Sequence, residues 1–533
     1  MATNFAAINS SSLSGIKKLA GQTAIYGVST VLGRFLNVFL TFWLTYEFGA
    51  EKFAIFSLAY AYVTFLNVIF TYGMETSYFR FSQEAKFKND VYSTSLLSII
   101  LTTIIFAGAM IYYAPQIADL WRVPDNPEYI RWFAWIIGLD TLAVIPFARL
   151  RQQGRPIKYA ALKLANIIIY VAATYFFIKI CPALLKKNDN SFLRLVYDPK
   201  IDIGYTFIAN LIASAATLLL LAKELLSVKI KFNTRLWQEM LIYSWPLLIV
   251  GLGGMINEVL NRILLDYRLP YSFERNKFEV GIFNANWKVA ALVNIFIQVF
   301  RIGAEPFFFN EAGKKEAPKT YARVMKLFVI VSCVVFLIVS LFANTIWGRY
   351  LMGVKNHPEY AQGIGTIPLI AISYVCLGIY YNLTVWYKLT NKTLYGAYIT
   401  LAGAVITIVL NYVSIPYIGY WGSAWTTLIC YAFMMFISYR LGQKYYFIPY
   451  AWKKLAAYVI ISVLLYFIYF GLSYLITNTW MQIFTGLALL SAFIIFIGRI
   501  ERKEFSRLPF ISKLYTSPVA VSTVPTEVDD MKG

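Results

Sequence analysis

The chain has 533 residues, of which 59% are hydrophobic, 18% aromatic and 14% charged, with mean hydropathy +0.60 and a formal net charge of +21. An ordinary soluble domain is about 45–50% apolar and about 25% charged, so polar groups are too few to cover this chain in water and its solvent is largely lipid. Disorder, a disulfide scaffold and a soluble metalloenzyme are excluded, because Cys181, Cys333, Cys376 and Cys430 form no framework or zinc spacing and His357 is the single histidine.

A spanning helix needs roughly 20 mostly apolar residues. In chain order, residues 1–18 form an N-terminal segment with Lys17 and Lys18 at its end. It is not expected to be a secretory signal, since the apolar stretch that follows outruns an h-region and carries Arg34 in its middle. Fourteen spans follow. The first six are expected at 19–46, 53–79, 91–114, 129–149, 157–180 and 203–222, and a linker at 223–236 carries Lys223, Lys229, Lys231 and Arg235. The next six are expected at 237–265, 279–309, 321–347, 363–387, 393–415 and 418–439, and the last two at 453–475 and 480–498. The tail, 500–533, is basic at first and then polar, Pro-containing and expected to be disordered.

Charge sorts along this pattern. With the N-terminus in the cytoplasm, the inner segments gather 30 of the 48 lysines and arginines and the outer loops 12. Both termini are therefore expected inside, and the basic balance reflects topology and anionic headgroups rather than nucleic acid.

An internal repeat is visible. Ile55-Phe56 aligns with Ile282-Phe283 and Asn67 with Asn294 at one constant offset. After a short insertion, Gly73, Glu75 and Phe79 align with Gly303, Glu305 and Phe309. Spans two and eight are six helices apart and run the same way, so the expected fold is all-α and polytopic. It comprises two parallel six-helix bundles (19–222 and 237–441) around a central cavity, with helices 13 and 14 (442–499) appended.

Charges inside a bilayer are costly and usually face a cavity or a partner. Arg34 and Lys288 lie deep in spans one and eight with no opposite charge three or four residues away, which marks them as substrate-binding candidates. Arg262 is the third. Asp140, Glu75, Glu258, Arg301 and Glu305 are candidates for ion coupling or gating, although Glu258 with Arg262 and Arg301 with Glu305 have the spacing of simple helix pairs. Span seven contains Pro246, Gly251, Gly253 and Gly254, a combination that lets a helix bend or pack closely. No phosphate-binding loop, carboxylate constellation or nucleophile elbow occurs, so no cofactor, metal or catalytic residue is expected.

The stretch Asp140 to Lys163, DTLAVIPFARLRQQGRPIKYAALK, resembles a fourth-to-fifth helix junction of oligosaccharide flippases of the polysaccharide transport family. That family lies in the superfamily that also holds multidrug antiporters and lipid II flippases. Gly281 to Phe309, GIFNANWKVAALVNIFIQVFRIGAEPFFF, is similar to the family's eighth helix, with Lys288 at its basic position. Asn411, Pro416, Gly419, Gly422 and Ala424 resemble the turn between helices eleven and twelve. Asn261-Arg262 departs from the family pattern, which has an acidic residue before the Arg.

The resemblance implies a non-enzymatic flippase in a bacterial inner membrane. Its cargo would be a polyprenyl-pyrophosphate-linked oligosaccharide moving from the inner to the outer leaflet, for O-antigen, capsule or exopolysaccharide assembly. Implied partners are membrane lipid, the lipid-linked glycan, a glycan polymerase and glycosyltransferases. The alternatives are an ion-coupled small-molecule or multidrug antiporter of the same superfamily, a membrane glycan polymerase or ligase, and a non-transporting scaffold. The longest outer loop, about 181–202, is short and has no histidine, which speaks against the polymerase.

Overall fold

A computed structural model describes residues 27, 31–87, 89–187, 194, 196–228, 230–390 and 392–505. The described residues are predominantly helical, with no strand among them. Thirteen of their helices are long and apolar enough to cross a membrane. Residues 31–47 form a further helix within the first expected span, most of whose earlier residues lie outside the described set, as do the 1–18 segment and residues 506–533 of the tail.

Numbered in chain order, the helices are α1 (31–47), α2 (Ala50–Phe81), α3 (Val91–Tyr112), α4 (Pro127–Gln152), α5 (Pro156–Lys186) and α6 (Asp202–Leu220). They continue as α7 (Thr234–Arg268), α8 (Phe273–Glu311), α9 (Ala317–Leu341), α10 (Thr366–Leu389), α11 (Thr393–Ile418), α12 (Tyr420–Tyr445), α13 (Trp452–Leu475) and α14 (Thr479–Ile500).

The neighbours recur six helices on. In the first half α2 and α3 pack on α4, and α4 and α5 pack on α6. In the second half α8 and α9 pack on α10, and α10 and α11 pack on α12. Helices α13 and α14 pack on each other and on α9, and an ion pair of Lys326 with Glu501 (2.7 Å) ties the end of α14 to α9. The two bundles meet most extensively along α2 and α8. There Asn284 Nδ2 donates to Ser57 Oγ at 2.7 Å, and the two residues are 227 positions apart. That separation is the one that aligns Ile55-Phe56 with Ile282-Phe283, so equivalent residues of the two halves touch each other. A self-matching contact of this kind marks a pseudo-twofold axis between the bundles.

Two helices depart from simple spans. Helix α2 breaks at Tyr72 (φ 32°) and Gly73 (φ 73°), consecutive left-handed residues of which only the glycine adopts that backbone without cost. Helix α7 runs unbroken through Pro246 and then widens into a π-turn at Ile256–Leu260, the kind of local insertion that collects at functional positions.

Candidate transport site

The charged residues of α7 and α8 converge beside that π-turn. The extra residue per turn shifts the register beyond it, so Glu258 and Arg262 do not pair through their charged ends as their spacing allows. Instead Arg262 Nη2 donates to the backbone oxygen of Glu258 at 3.2 Å, and the guanidinium lies 5.4 Å from the centre of the Trp287 ring. Glu258 Oε1 accepts from Asn294 Nδ2 at 3.3 Å, and Gln298 in turn donates to Asn294 Oδ1. Lys288 is half-buried, with Arg262 and Glu258 as its charged neighbours. It makes no hydrogen bond or ion pair among the described residues.

The other candidates are spread out. Arg34 is exposed on α1, one position from Gly33, which faces Ile167 of α5, and among the described residues no hydrogen bond or ion pair joins it to Lys288. Arg301 is exposed, 4.9 Å from the Tyr381 ring centre. The Glu305 side chain lies outside the described residues. Glu75 forms an ion pair with Arg151 of α4. With Asp140, Lys163 and Asn67 that pair lines a cavity of about 510 Å3 within the first bundle. Asp140 makes no ion pair among the described residues, and Lys163 rests its ammonium 4.2 Å from the Phe147 ring centre. A second cavity, about 410 Å3, lies in the other bundle between α7, α8, α10, α11 and α12, with Glu258 and Arg301 on its wall.

Two sets of contacts join the bundles at opposite ends. At the end carrying the α7–α8 connection, the backbone of Ala50 comes so close to Gly281 that a Cβ there would overlap it. Tyr360 Oη donates to Phe48 O at 2.8 Å nearby. Arg122, held at φ 56° in the α3–α4 connection, reaches across to the backbone oxygen of Asp266 in α7. Asp266 is 0% exposed and also pairs with Lys277 of α8 at 2.8 Å.

At the opposite, basic end, the first half of α7 lies on the first bundle. Ser77 and Ser244 hydroxyls are 2.7 Å apart, Trp237 Nε1 donates to Ser98 Oγ at 2.8 Å, and Lys86 is 3.6 Å from Glu239. The second half of α7 packs on α11, where Asn257 Nδ2 donates to Thr400 O at 3.0 Å. Helix α7 thus changes bundle along its length, and the change falls between Pro246 and the π-turn. Its glycines differ in use. A Cβ at Gly251 would meet Val68 of α2 at 3.1 Å, one at Gly253 would meet Leu401 at 3.2 Å, and one at Gly254 would meet nothing within 4 Å.

Arg122, Asp266, Lys277 and Arg151 escape sequence reasoning, because their partners are distant in the chain and they sit near helix ends where charge needs no explanation. Trp287 and Asn294 carry no signal of their own beyond the eighth-helix resemblance and the repeat.

Comparison with known proteins gives the fold a lineage. No curated protein matches the sequence. Among solved structures, the lipid II flippase MurJ in an inward closed conformation superposes over 90% of this chain and 99% of its own, with TM-score 0.70 at 12% identity. A multidrug resistance MATE transporter of the MOP superfamily, inward-facing, covers 79% of this chain and 97% of its own, with TM-score 0.62 at 15% identity. An outward-facing structure of that family covers 79% of this chain with TM-score 0.55 at 14% identity. At such identities the likeness is one of fold. The MatE family matches residues 274–413, and the polysaccharide biosynthesis protein family matches residues 19–304, more than half of the chain. The chain is a multi-pass membrane protein and belongs to the polysaccharide biosynthesis protein family.

Proposed function

We propose that the protein flips a polyprenyl-pyrophosphate-linked oligosaccharide from the cytoplasmic to the outer leaflet of a bacterial inner membrane by alternating access, with no chemical step. The basic end of the bundles faces the cytoplasm, as do both termini, and the glycan feeds a cell-surface polysaccharide such as O-antigen, capsule or exopolysaccharide. Glycosyltransferases supply the cargo and a polymerase receives it.

The observation that carries this reading is the cation excess at the α7–α8 junction. Lys288 has no ion-pair partner among the described residues, and Arg262 spends its guanidinium on a backbone carbonyl and a ring rather than on a carboxylate. A pyrophosphate must cross about 30 Å of hydrocarbon. One opposite charge at about 4 Å contributes roughly 4 kcal/mol at an effective dielectric near 20. Such contacts from Lys288 and Arg262 offset much of the headgroup's desolvation without trapping it, and Arg34 on α1 is the third proposed cation along the passage. Asp140, with Lys163 beside it in the first bundle, is the proposed ion-coupling carboxylate; Glu75 is already paired.

A multidrug antiporter would favour acidic lining for cationic cargo, and Asp140 and Glu258 are the residues that support that second reading. The two are separated by alanine substitution. Arg34→Ala or Lys288→Ala is expected to abolish surface glycan in a strain that depends on this gene, with the protein present in the membrane at normal amount. Normal glycan from both variants contradicts the flippase reading, and restored resistance to a cationic drug supports the antiporter.

A further inference from the structure

The cavity inside the second bundle is built for more than solvent. At about 410 Å3 it falls in the range of small-molecule pockets, roughly 300–1,000 Å3. Its walls are largely apolar, with Met255, Phe300 and Phe308 among them, but they also carry Tyr380, Tyr381, Asn382 and Glu258. A cleft meant for acyl chains gains nothing from such groups, since a polar group in an apolar setting without a partner costs free energy. Asn382 is 5% exposed; its Nδ2 donates to Gly378 O at 3.0 Å while its Oδ1 has no partner. Buried polar atoms are partnered in about nine cases of ten or more, so this orphan needs explaining.

The position of Gly254 adds an independent sign. Val68 and Leu401 keep Gly251 and Gly253 small by packing, but no protein atom within 4 Å requires a glycine at 254, which borders the cavity. The space beside Gly254 is open to the cavity.

We infer that this cavity is a carbohydrate subsite that holds sugar units of the cargo while the cationic cluster beyond Glu258 holds its pyrophosphate; the inference rests on the flippase reading. A sugar offers apolar C–H faces to aromatic rings and hydroxyl edges to amides and carboxylates, which is the combination these walls present. An amine cation is disfavoured in the cavity by Arg301 and Lys388, which outnumber the Glu258 carboxylate among its lining residues.

The test fills the cavity. Gly254→Leu projects into open space, whereas Gly254→Ala removes the glycine's backbone freedom while adding little volume. Asn382→Leu, on α10, blocks the same cavity from another helix. Surface glycan is measured in cells, and affinity for farnesyl pyrophosphate, a lipid pyrophosphate without sugar, is measured on purified protein. Gly254→Leu and Asn382→Leu are expected to cut glycan at least about tenfold, with farnesyl pyrophosphate affinity within about twofold of wild type and Gly254→Ala near normal. Normal glycan from both leucine variants overturns the subsite. So does equal damage from Gly254→Ala, which would mark a hinge, or a parallel loss of farnesyl pyrophosphate affinity, which would place the headgroup in the cavity. A wild-type protein that binds no farnesyl pyrophosphate removes the flippase reading itself, and the subsite with it.

Discussion

At the scale of single residues, a buried carboxylate where the two bundles meet has one partner from each of them. Asp266 keeps Lys277 within its own bundle at 2.8 Å while Arg122 reaches it from the other bundle. Opening that end breaks the Arg122 arm and leaves the carboxylate still neutralised. Removing one partner of a buried pair costs about 3–5 kcal/mol when the other charge is stranded, whereas a hydrogen bond to a charged group contributes about 1.5–3 kcal/mol. Lys277→Met is therefore expected to lower the thermal midpoint of the purified protein well below that of Arg122→Met, and equal shifts would show that Asp266 does not depend on its own bundle. None of this is visible in the sequence, where Arg122 and Asp266 are far apart and each sits at a helix end. Sequence spacing also misjudges Glu258 and Arg262. Four residues on a regular helix bring their side chains together, but Glu258 lies inside the π-turn at Ile256–Leu260 and Arg262 just beyond it, so that spacing no longer applies.

At the scale of elements, close approach is purchased by small residues. Gly281 lies so near the Ala50 backbone that a methyl group cannot fit, so Gly281→Ala should hold α2 and α8 apart at the end opposite the basic one. Labelling of Ser57→Cys by a membrane-impermeant maleimide tests this. In the Gly281→Ala background the rate should rise at least about fivefold, as expected if overpacking of about 1–3 kcal/mol opens the contact. An unchanged rate would mean that the helices adjust without separating. The connection between α6 and α7 is held differently. Lys231 lies 3.0 Å from Asp90, and its hydrogen bond, followed by that of Asn233, holds the Asp90 carboxyl below its ordinary value of 3.8. A lowered folded value means that the pair stabilises fully above pH 3.8 and fades as pH falls through the lowered value. The difference in thermal midpoint between wild type and Asp90→Asn should accordingly stay constant from neutral pH down to about 5 and shrink below 3.8. A difference that shrinks already near neutral pH would contradict this. Helix positions were legible from apolar runs alone. The break at Tyr72-Gly73 and the passage of α7 from one bundle to the other were not, because both are set by what lies across the interface: Gly73 sits 3.3 Å, by its missing Cβ, from Ser244 O.

At the scale of the whole molecule, the weak repeat between spans two and eight proves to be the line along which the halves meet. The Ser57–Asn284 contact joins equivalent positions, so a few matching residues sufficed to foresee paired bundles. Which charges share a cavity was beyond reach, since that depends on how twelve helices turn about their axes. The structure groups Arg262, Lys288 and Glu258, leaves Arg34 exposed on α1, and ties Glu75 to Arg151. The account stands on the first of these groups and on Arg34 acting as a receptor for a phosphorylated headgroup. Its most direct measurement is the affinity of purified wild type, Arg34→Ala, Lys288→Ala and the double variant for farnesyl pyrophosphate. Each single substitution should weaken binding at least about tenfold, roughly 1.4 kcal/mol, and the double variant more. Affinities equal to wild type in all three variants would contradict a cationic passage for pyrophosphate.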